Sequence, residues 1–431
     1  MAAMTRIGIL AGGGRLPITI AQSVAARGGA VHIVGIEGEA DPDIAGFPHT
    51  WVNWGQIGRM LATLRAEDAR ELVIAGGVRR PDLWRVRPDA GLFRNLPLII
   101  QLLAGGDDSV LKRVVRFFEG NGFMVRGVHE VAPDLLADAG RLGSLALGRE
   151  DLDDAELGFA VRWALGPVDA GQAVVTARGK VLAIEGAEGT DAMLERVAAL
   201  PGRGRNGSRE GVLTKGPKPG QELRVDMPAI GPRTVERVAT AGLAGVAVEA
   251  GGVLVLDRGE TVRRADALGC ALQGFARAAS AQMPTSPARQ ERLARVVGRR
   301  HPRRPDIADI ETGLAAVEAL APFATGAGVV VLRRYVLAIE AAEGTAAMLQ
   351  RAAASRRQWG LRWRRAGTLV ARAGRRDAAA EGVFRSLLAE AAALELAGVA
   401  VMGPPAALEP FEGMGRLADD LGLFLVLCEA A

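Results

Sequence analysis

Over the first 140 residues, apolar runs that end in glycine alternate with stretches of helical periodicity. RIGILAGGG (Arg6 to Gly14) reads as a buried strand running out into glycines, and a helical pattern follows from Leu16 to about Arg27. AVHIVGIEG is a second strand, ending near Glu37. A helix from Gly55 to about Arg65 leads into ELVIAGGV, a third strand tipped by Gly76 and Gly77. Further helices are expected near Leu92 to Leu103 and Ser109 to Asn121, and FMVRGVHEV closes the set as a strand. Strand–helix alternation with glycines at strand ends predicts an α/β fold with a parallel sheet, helices on both faces.

A smaller α/β domain is expected from near Asp151. AVVTARGKVLAIEGAEGTDAML (Ala173 to Leu194) has the pattern of a hairpin, an acidic loop and a helix. The Pro/Gly/Lys loop TKGPKPGQ follows, then the strand-like run LRVDMPAIG, a helix from Thr234, and the strands GVAVEAG and GVLVLDRG. The pattern then repeats. VLAIEGAEGTDAML at Val181 returns as VLAIEAAEGTAAML at Val336, 155 residues on, and Asp151, Asp154, Gly158 and Pro167 match Asp306, Asp309, Gly313 and Pro322 at the same shift. LAGVAV at Leu243 and ADALG at Ala265 recur 153 residues on, at Leu396 and Ala418. The expected organisation is a parallel-sheet α/β domain over 1–140, an α/β domain over 150–276, a basic Pro/Arg-rich linker over 277–305, and a degenerate copy of the α/β domain over 306–431.

Of the 431 residues 49% are hydrophobic but only 4% aromatic, which suits helices packed on sheets. Two cysteines far apart indicate neither a zinc site nor a disulfide framework, and a reducing cytoplasm is the simplest compartment. No apolar run reaches the roughly 18–20 residues needed to span a bilayer. The net charge of +4 alone allows nucleic-acid binding, but no stacking aromatics are interleaved with the basic residues, so none is expected. The arginines of the linker are suited to an anionic leaflet, or simply to solvent.

Gly12, Gly13 and Gly14 let backbone approach a phosphate or sugar ahead of a helix N-terminus. The spacing is not a clean G-x-G-x-x-G, because the third glycine position falls on Pro17, and a tight turn explains these glycines equally. Gly76 and Gly77 supply a second glycine tip to the same sheet. Asp107 and Asp108 either cap the following helix or bind substrate or metal. His129, at a strand end, is read as structural. Glu185, Glu188, Gly189, Thr190 and Asp191 cluster carboxylates at a helix start, a pattern suited to a divalent ion and a phosphate or to a cap in solvent. Asp226 is sharper: a carboxylate in an otherwise apolar run is exposed at the strand end, paired, or on a metal. Lys215 and Lys218, just upstream, have the charge to neutralise phosphate oxygens. The C-terminal repeat keeps Glu340, Glu343, Gly344 and Thr345, but Asp191 becomes Ala346, Asp226 falls on Ala379 near Asp377, and the lysines are gone. It is read as catalytically silent.

GILAGGGRLP, VIAGGV, GDDSVLKRV, VLAIEGAEGTDAML and the long block KGPKPGQELRVDMPAIGPRTVERVATAGLAGVAVEAGGVLVLDR together resemble the LpxI-type UDP-2,3-diacylglucosamine pyrophosphatases, over roughly residues 5 to 275. The resemblance implies a Rossmann-like nucleotide-sugar domain, a catalytic α/β domain, and Mg²⁺-assisted hydrolysis of a lipid-linked UDP-sugar to UMP and 2,3-diacylglucosamine 1-phosphate in lipid A synthesis. It also implies peripheral contact with the inner membrane, and it places the essential acid on Asp226. Glu222 stands where the family pattern carries Asp, and Gln273 interrupts an apolar strand. Asp226 and Lys215 are the expected catalytic residues. Asp226 and Asp191 are the expected metal ligands. Gly12, Gly13, Gly14, Gly76, Gly77, Asp107, Asp108, Glu188, Gly189 and Thr190 are expected to bind substrate. A homodimer is one assembly open to such a chain, and a non-catalytic nucleotide-sugar-binding regulator is the alternative function.

Overall fold

The computed structural model describes residues 6–77, 89, 107–203, 209–276, 294–358, 365–373 and 380–430. The helix expected near Leu92 to Leu103, and residues Asp377 and Ala379, lie outside them. Chain contacts divide the molecule into two units. One comprises residues 1–139, 220–232 and 249–263, and the other 140–219, 233–248 and 264–431.

The first unit is built on β1 (Ile7–Ala11), α1 (Leu16–Ala26), β2 (Val31–Ile36), β3 (His49–Val52), α2 (Ile57–Ala66), β4 (Glu71–Ala75), α3 (Asp107–Gly120), β5 (Met124–Val125) and the single turn α4 (Val128–Val131). The strands form one sheet in the order β3-β2-β1-β4-β5, and every pairing is parallel. β2 is buried at all six positions, as expected of a strand covered on both faces. β3 was not apparent in the apolar pattern, because HTWV mixes polar and aromatic residues. FMVRGVHEV is a strand for only two residues. Glu130 then caps the Gly127 amide, so His129 sits in a short helix and not at a strand end.

The second unit holds two sheets. The first uses β6 (Gly140–Arg141), α5 (Arg149–Ala164), the hairpin β7 (Ala173–Ala177) and β8 (Lys180–Ile184), α6 (Gly189–Ala198) and β9 (Val212–Lys215). In the first unit, β10 (Ala229–Ile230) and β12 (Leu254–Val255) pair in parallel. Between and after them come α7 (Pro232–Thr240), β11 (Gly245–Glu249), α8 (Arg258–Ala267) and β13 (Ala271–Phe275). The first sheet runs β6-β13-β11-β9-β7-β8.

The second sheet uses β14 (Ala294–Val297), α9 (Arg304–Leu320), the hairpin β15 (Gly328–Leu332) and β16 (Tyr335–Ile339), α10 (Thr345–Gln358), β17 (Thr368–Arg372), α11 (Ala380–Ala393), β18 (Gly398–Gly403), α12 (Pro405–Glu412), α13 (Gly415–Leu421) and β19 (Phe424–Glu429). Its order, β14-β19-β18-β17-β15-β16, follows the first sheet strand for strand. Each hairpin carries a register shift at the equivalent place, Val175/Thr176 and Val330/Val331. The residues read as linker are therefore not linker throughout. Residues 277–293 lie outside the described set, but β14 pairs antiparallel with β19, because its apolar Val296 and Val297 complete a sheet edge.

Candidate active site

In the first unit, the glycine tips of β1 and β4 meet at the centre of the parallel sheet. Connections leave these two strands in opposite directions, and such a switch point opens a crevice beyond the strand ends. The tips are tied together: the Gly13 amide donates to the Gly77 carbonyl at 2.6 Å, and the Gly77 amide to the Gly13 carbonyl at 3.0 Å. A Cβ on Gly12 would lie 2.6 Å from the Gly77 oxygen, and one on Gly76 (φ +93°) would lie 2.7 Å from the Gly12 carbonyl carbon. These two glycines are thus required by contact between the loops. Gly14 differs, since it has φ +88° and open space where a Cβ would stand. It directly precedes the α1 N-terminus, whose amides have no side-chain cap. Asp107 and Asp108 open α3, and their side chains lie outside the described residues.

The same unit holds Asp226. LRVDMPAIG is not a strand around this residue: Asp226 ends a turn, its amide donating to the Glu222 carbonyl at 3.1 Å, and only Ala229 and Ile230 are extended into β10. The flanking residues are anchors. Val225 packs against the core cluster that includes Leu10 and Phe118, and Met227 against the cluster that includes Ile9 and Val131. Asp226 between them is exposed. The polar residues of QELRVD bind one another. The Gln221 amide donates to Asp226 Oδ2 at 2.6 Å, and Arg224 forks onto both oxygens of Glu222 at 2.8 Å while reaching Glu119 of α3, also at 2.8 Å. These bonds from Arg224 lower the Glu222 carboxyl below its ordinary range. Glu222 therefore has a defined task, holding Arg224. Gln221, Arg224 and Glu119 went unrecognised as site residues. The signal for the first two was the spacing of polar residues around Asp226.

In the second unit, Lys215 ends β9, 7% exposed. Its ammonium donates to Thr190 Oγ1 at 2.9 Å, and the Thr190 hydroxyl donates to Glu185 Oε1 at 3.1 Å. Burial pushes the Glu185 carboxyl above its ordinary range, against the pull of Lys215. Glu185 Oε2 is sealed from solvent and has no hydrogen-bond partner among the described residues, so the acidic residue of this loop that faces inward is one the expected set left out. The downstream Pro/Gly loop is fixed by buried Arg162, which donates to the Pro217 carbonyl at 2.9 Å. Lys218 is paired with Asp169 at 3.1 Å.

Two expected residues are occupied otherwise. Asp191 lies in the first turn of α6 and pairs with Arg233 at 2.9 Å and Arg237 at 3.4 Å, a cationic setting unsuited to a metal ligand. Glu188 is the N-terminal flanking residue of α6 but makes no side-chain cap; it is held by Arg196 and Arg351. Neither Thr190 nor Asp191 caps the helix. Among the described residues no three His, Cys, Asp or Glu side chains gather as a metal cluster. A magnesium ion needs less than that, since it commonly keeps several waters and takes one or two carboxylates plus substrate phosphates. Asp226 fits that requirement: exposed, with Gln221 on one oxygen and the other left for a ligand. Among the described residues no helix is long and apolar enough to cross a membrane.

Comparison with known proteins adds three findings. The LpxI N-terminal domain family matches residues 6–135, and the LpxI C-terminal domain family matches residues 138–273 and 294–380. A relative from Caulobacter vibrioides, named UDP-2,3-diacylglucosamine pyrophosphatase LpxI, is 43% identical over 273 residues, covering 63% of this chain and 98% of that protein.

Proposed function

The chain belongs to the LpxI family, and from that premise we propose that it hydrolyses the pyrophosphate bond of UDP-2,3-diacylglucosamine to UMP and 2,3-diacylglucosamine 1-phosphate, a step of lipid A synthesis. The observation that carries the reading is Asp226, an exposed carboxylate held by Gln221 on a turn whose half-buried flanks pack against the core of the first unit. Hydrolysis of a phosphoric anhydride is chiefly a matter of aligning water and neutralising charge. The open backbone at Gly14 and the uncapped α1 N-terminus suit a diphosphate oxygen. Asp226 orients the attacking water through the oxygen that Gln221 leaves, and accepts its proton as the P–O bond to the leaving phosphate breaks. Lys215, fixed by Thr190, carries a positive charge of the kind that phosphate oxygens call for. Magnesium, held through Asp226, would add charge neutralisation at the same oxygens. The substrate's acyl chains imply that the enzyme meets it at the inner membrane surface.

The test is UMP release from UDP-2,3-diacylglucosamine by the full chain. Replacing Asp226 with Asn is expected to lower turnover by about 10³-fold with substrate affinity kept. Tight binding without turnover by the wild-type chain would instead establish a nucleotide-sugar-binding regulator.

A further inference from the structure

The two sheets of the second unit are joined by contacts that come in reciprocal pairs. The Ala187 amide donates to the Leu337 carbonyl at 3.0 Å, and the Ala342 amide to the Leu182 carbonyl at 3.3 Å. Ala187 and Ala342 occupy equivalent positions of the repeat, as do Leu182 and Leu337. Arg196 reaches Glu343 at 3.2 Å, and Arg351 reaches Glu188 at 3.1 Å. Each arginine also binds the glutamate of its own half, so four charges alternate around a ring, with side chains only 5% to 14% exposed. One continuous core draws on Leu165, Val174 and Ile184 from one half and on their equivalents Leu320, Val329 and Ile339 from the other. When residue i of one half meets j of the other while j meets i, the interface has two-fold, isologous character, the form found between identical subunits. Here both halves belong to one chain. The halves are unequal, because Lys215 of β9 faces Ala173 across the β7 pairing, and the corresponding place opposite Gly328 in β17 is Ala371.

We infer that residues 294–430 are a tandem copy of the preceding domain serving as a built-in second subunit, which occupies the dimer face of the first half and clamps its Glu185–Thr190 loop through Arg351 and the Leu337 carbonyl. The clamp bears on function because that loop carries Glu185 and Thr190, the residues that hold Lys215. Gly186 of the loop is fitted to the copy: a Cβ there would lie 2.6 Å from the Leu337 oxygen. Arg351 is thus a positioning residue for Lys215. The chain works as a monomer with one lysine-bearing site, and no homodimer forms on this face. The positioning role rests on the proposed use of Lys215 in turnover.

Two measurements on the full chain test this. Sedimentation equilibrium over a hundredfold range of concentration is expected to give the single-chain mass of 45.0 kDa throughout; a two-chain mass overturns the built-in subunit. Arg351→Ala is then compared with Lys215→Ala by UMP release and by hydrogen exchange. Arg351→Ala is expected to expose the Ala187 and Ala342 amides and to lower turnover about ten- to a hundredfold at unchanged KM, with Arg351→Lys recovering part of the loss. Because removing one charge from a buried ring strands its partners, the double variant Arg351→Leu, Glu343→Leu repeats the test with the charges balanced. Exposed amides with wild-type turnover overturn the positioning role. Full activity in Lys215→Ala overturns the role of the lysine itself and leaves the built-in subunit to be judged on mass and amide protection.

Discussion

Asp226 and Lys215 reach the same chemical readiness by opposite routes. Asp226 stays in solvent, and its geometry comes from Gln221 and from two half-buried neighbours in the chain. Lys215 is buried, and its geometry comes from Thr190. Thr190→Val should therefore lower turnover less than Lys215→Ala, with both variants folded, as UMP release would show; equal loss would mean that the hydroxyl itself meets substrate. The C-terminal half offers a cleaner view of the buried acid. Glu340 is the equivalent of Glu185, accepts from Thr345 at 2.9 Å, and has Ala371 where the first half has Lys215. Burial first, and Glu343 after it, raise its carboxyl above the ordinary value of 4.5. The folded chain thus prefers the protonated acid. That contribution to stability is complete below pH 4.5 and is lost as pH rises through the raised native value. Glu340→Gln, which keeps an acceptor for Thr345, should gain on the wild type in urea unfolding as pH rises above 4.5. A stability difference independent of pH would show that this carboxyl is not the group responsible.

Elements with strong pattern were legible and elements set by distant partners were not. The glycine-tipped β1 and β4 stand out because a strand buried on both faces is apolar throughout and must end where the chain can turn. β10 and β12 pair over two residues each, and their extension is dictated by each other, 25 residues apart at Ala229 and Leu254, with no local signal. The acidic loop was legible as a loop, but not which carboxylate turns inward: only tertiary packing brings Arg351 onto Glu188 and leaves Glu185 for Thr190 and Lys215. Repeated close packing of a helix on its sheet was visible as the match of Gly158 to Gly313. A Cβ at Gly158 would stand 2.3 Å from the Thr214 hydroxyl oxygen, and one at Gly313 would stand 2.3 Å from a Val370 methyl carbon. Alanine at either position should cost about 1–3 kcal/mol through overpacking, read as a lowered denaturation midpoint. An unchanged midpoint for both would mean that helices α5 and α9 ride freely on their sheets.

For the whole molecule, the segments 220–232 and 249–263 group with the Rossmann-like sheet, although in sequence they lie amid the strands of the following domain. The unit with the glycine-tipped parallel sheet consequently carries the proposed catalytic carboxylate itself. Asp226 lies within 138–273, the residues matched by the LpxI C-terminal domain family, as chain order alone suggests, while its contacts group it with the first unit. The matching strings, by contrast, were readable directly, and the two sheets share one strand order and one place for the hairpin register shift. The most direct test of the central claim is UMP release from UDP-2,3-diacylglucosamine by the wild-type chain and by Asp226→Asn, each with Mg²⁺ and with chelator. The account predicts metal-dependent release by the wild type, reduced by about 10³-fold in the variant at matched folding. Comparable release by both proteins would contradict it, as would intact release by the wild type under chelation for the part assigned to magnesium.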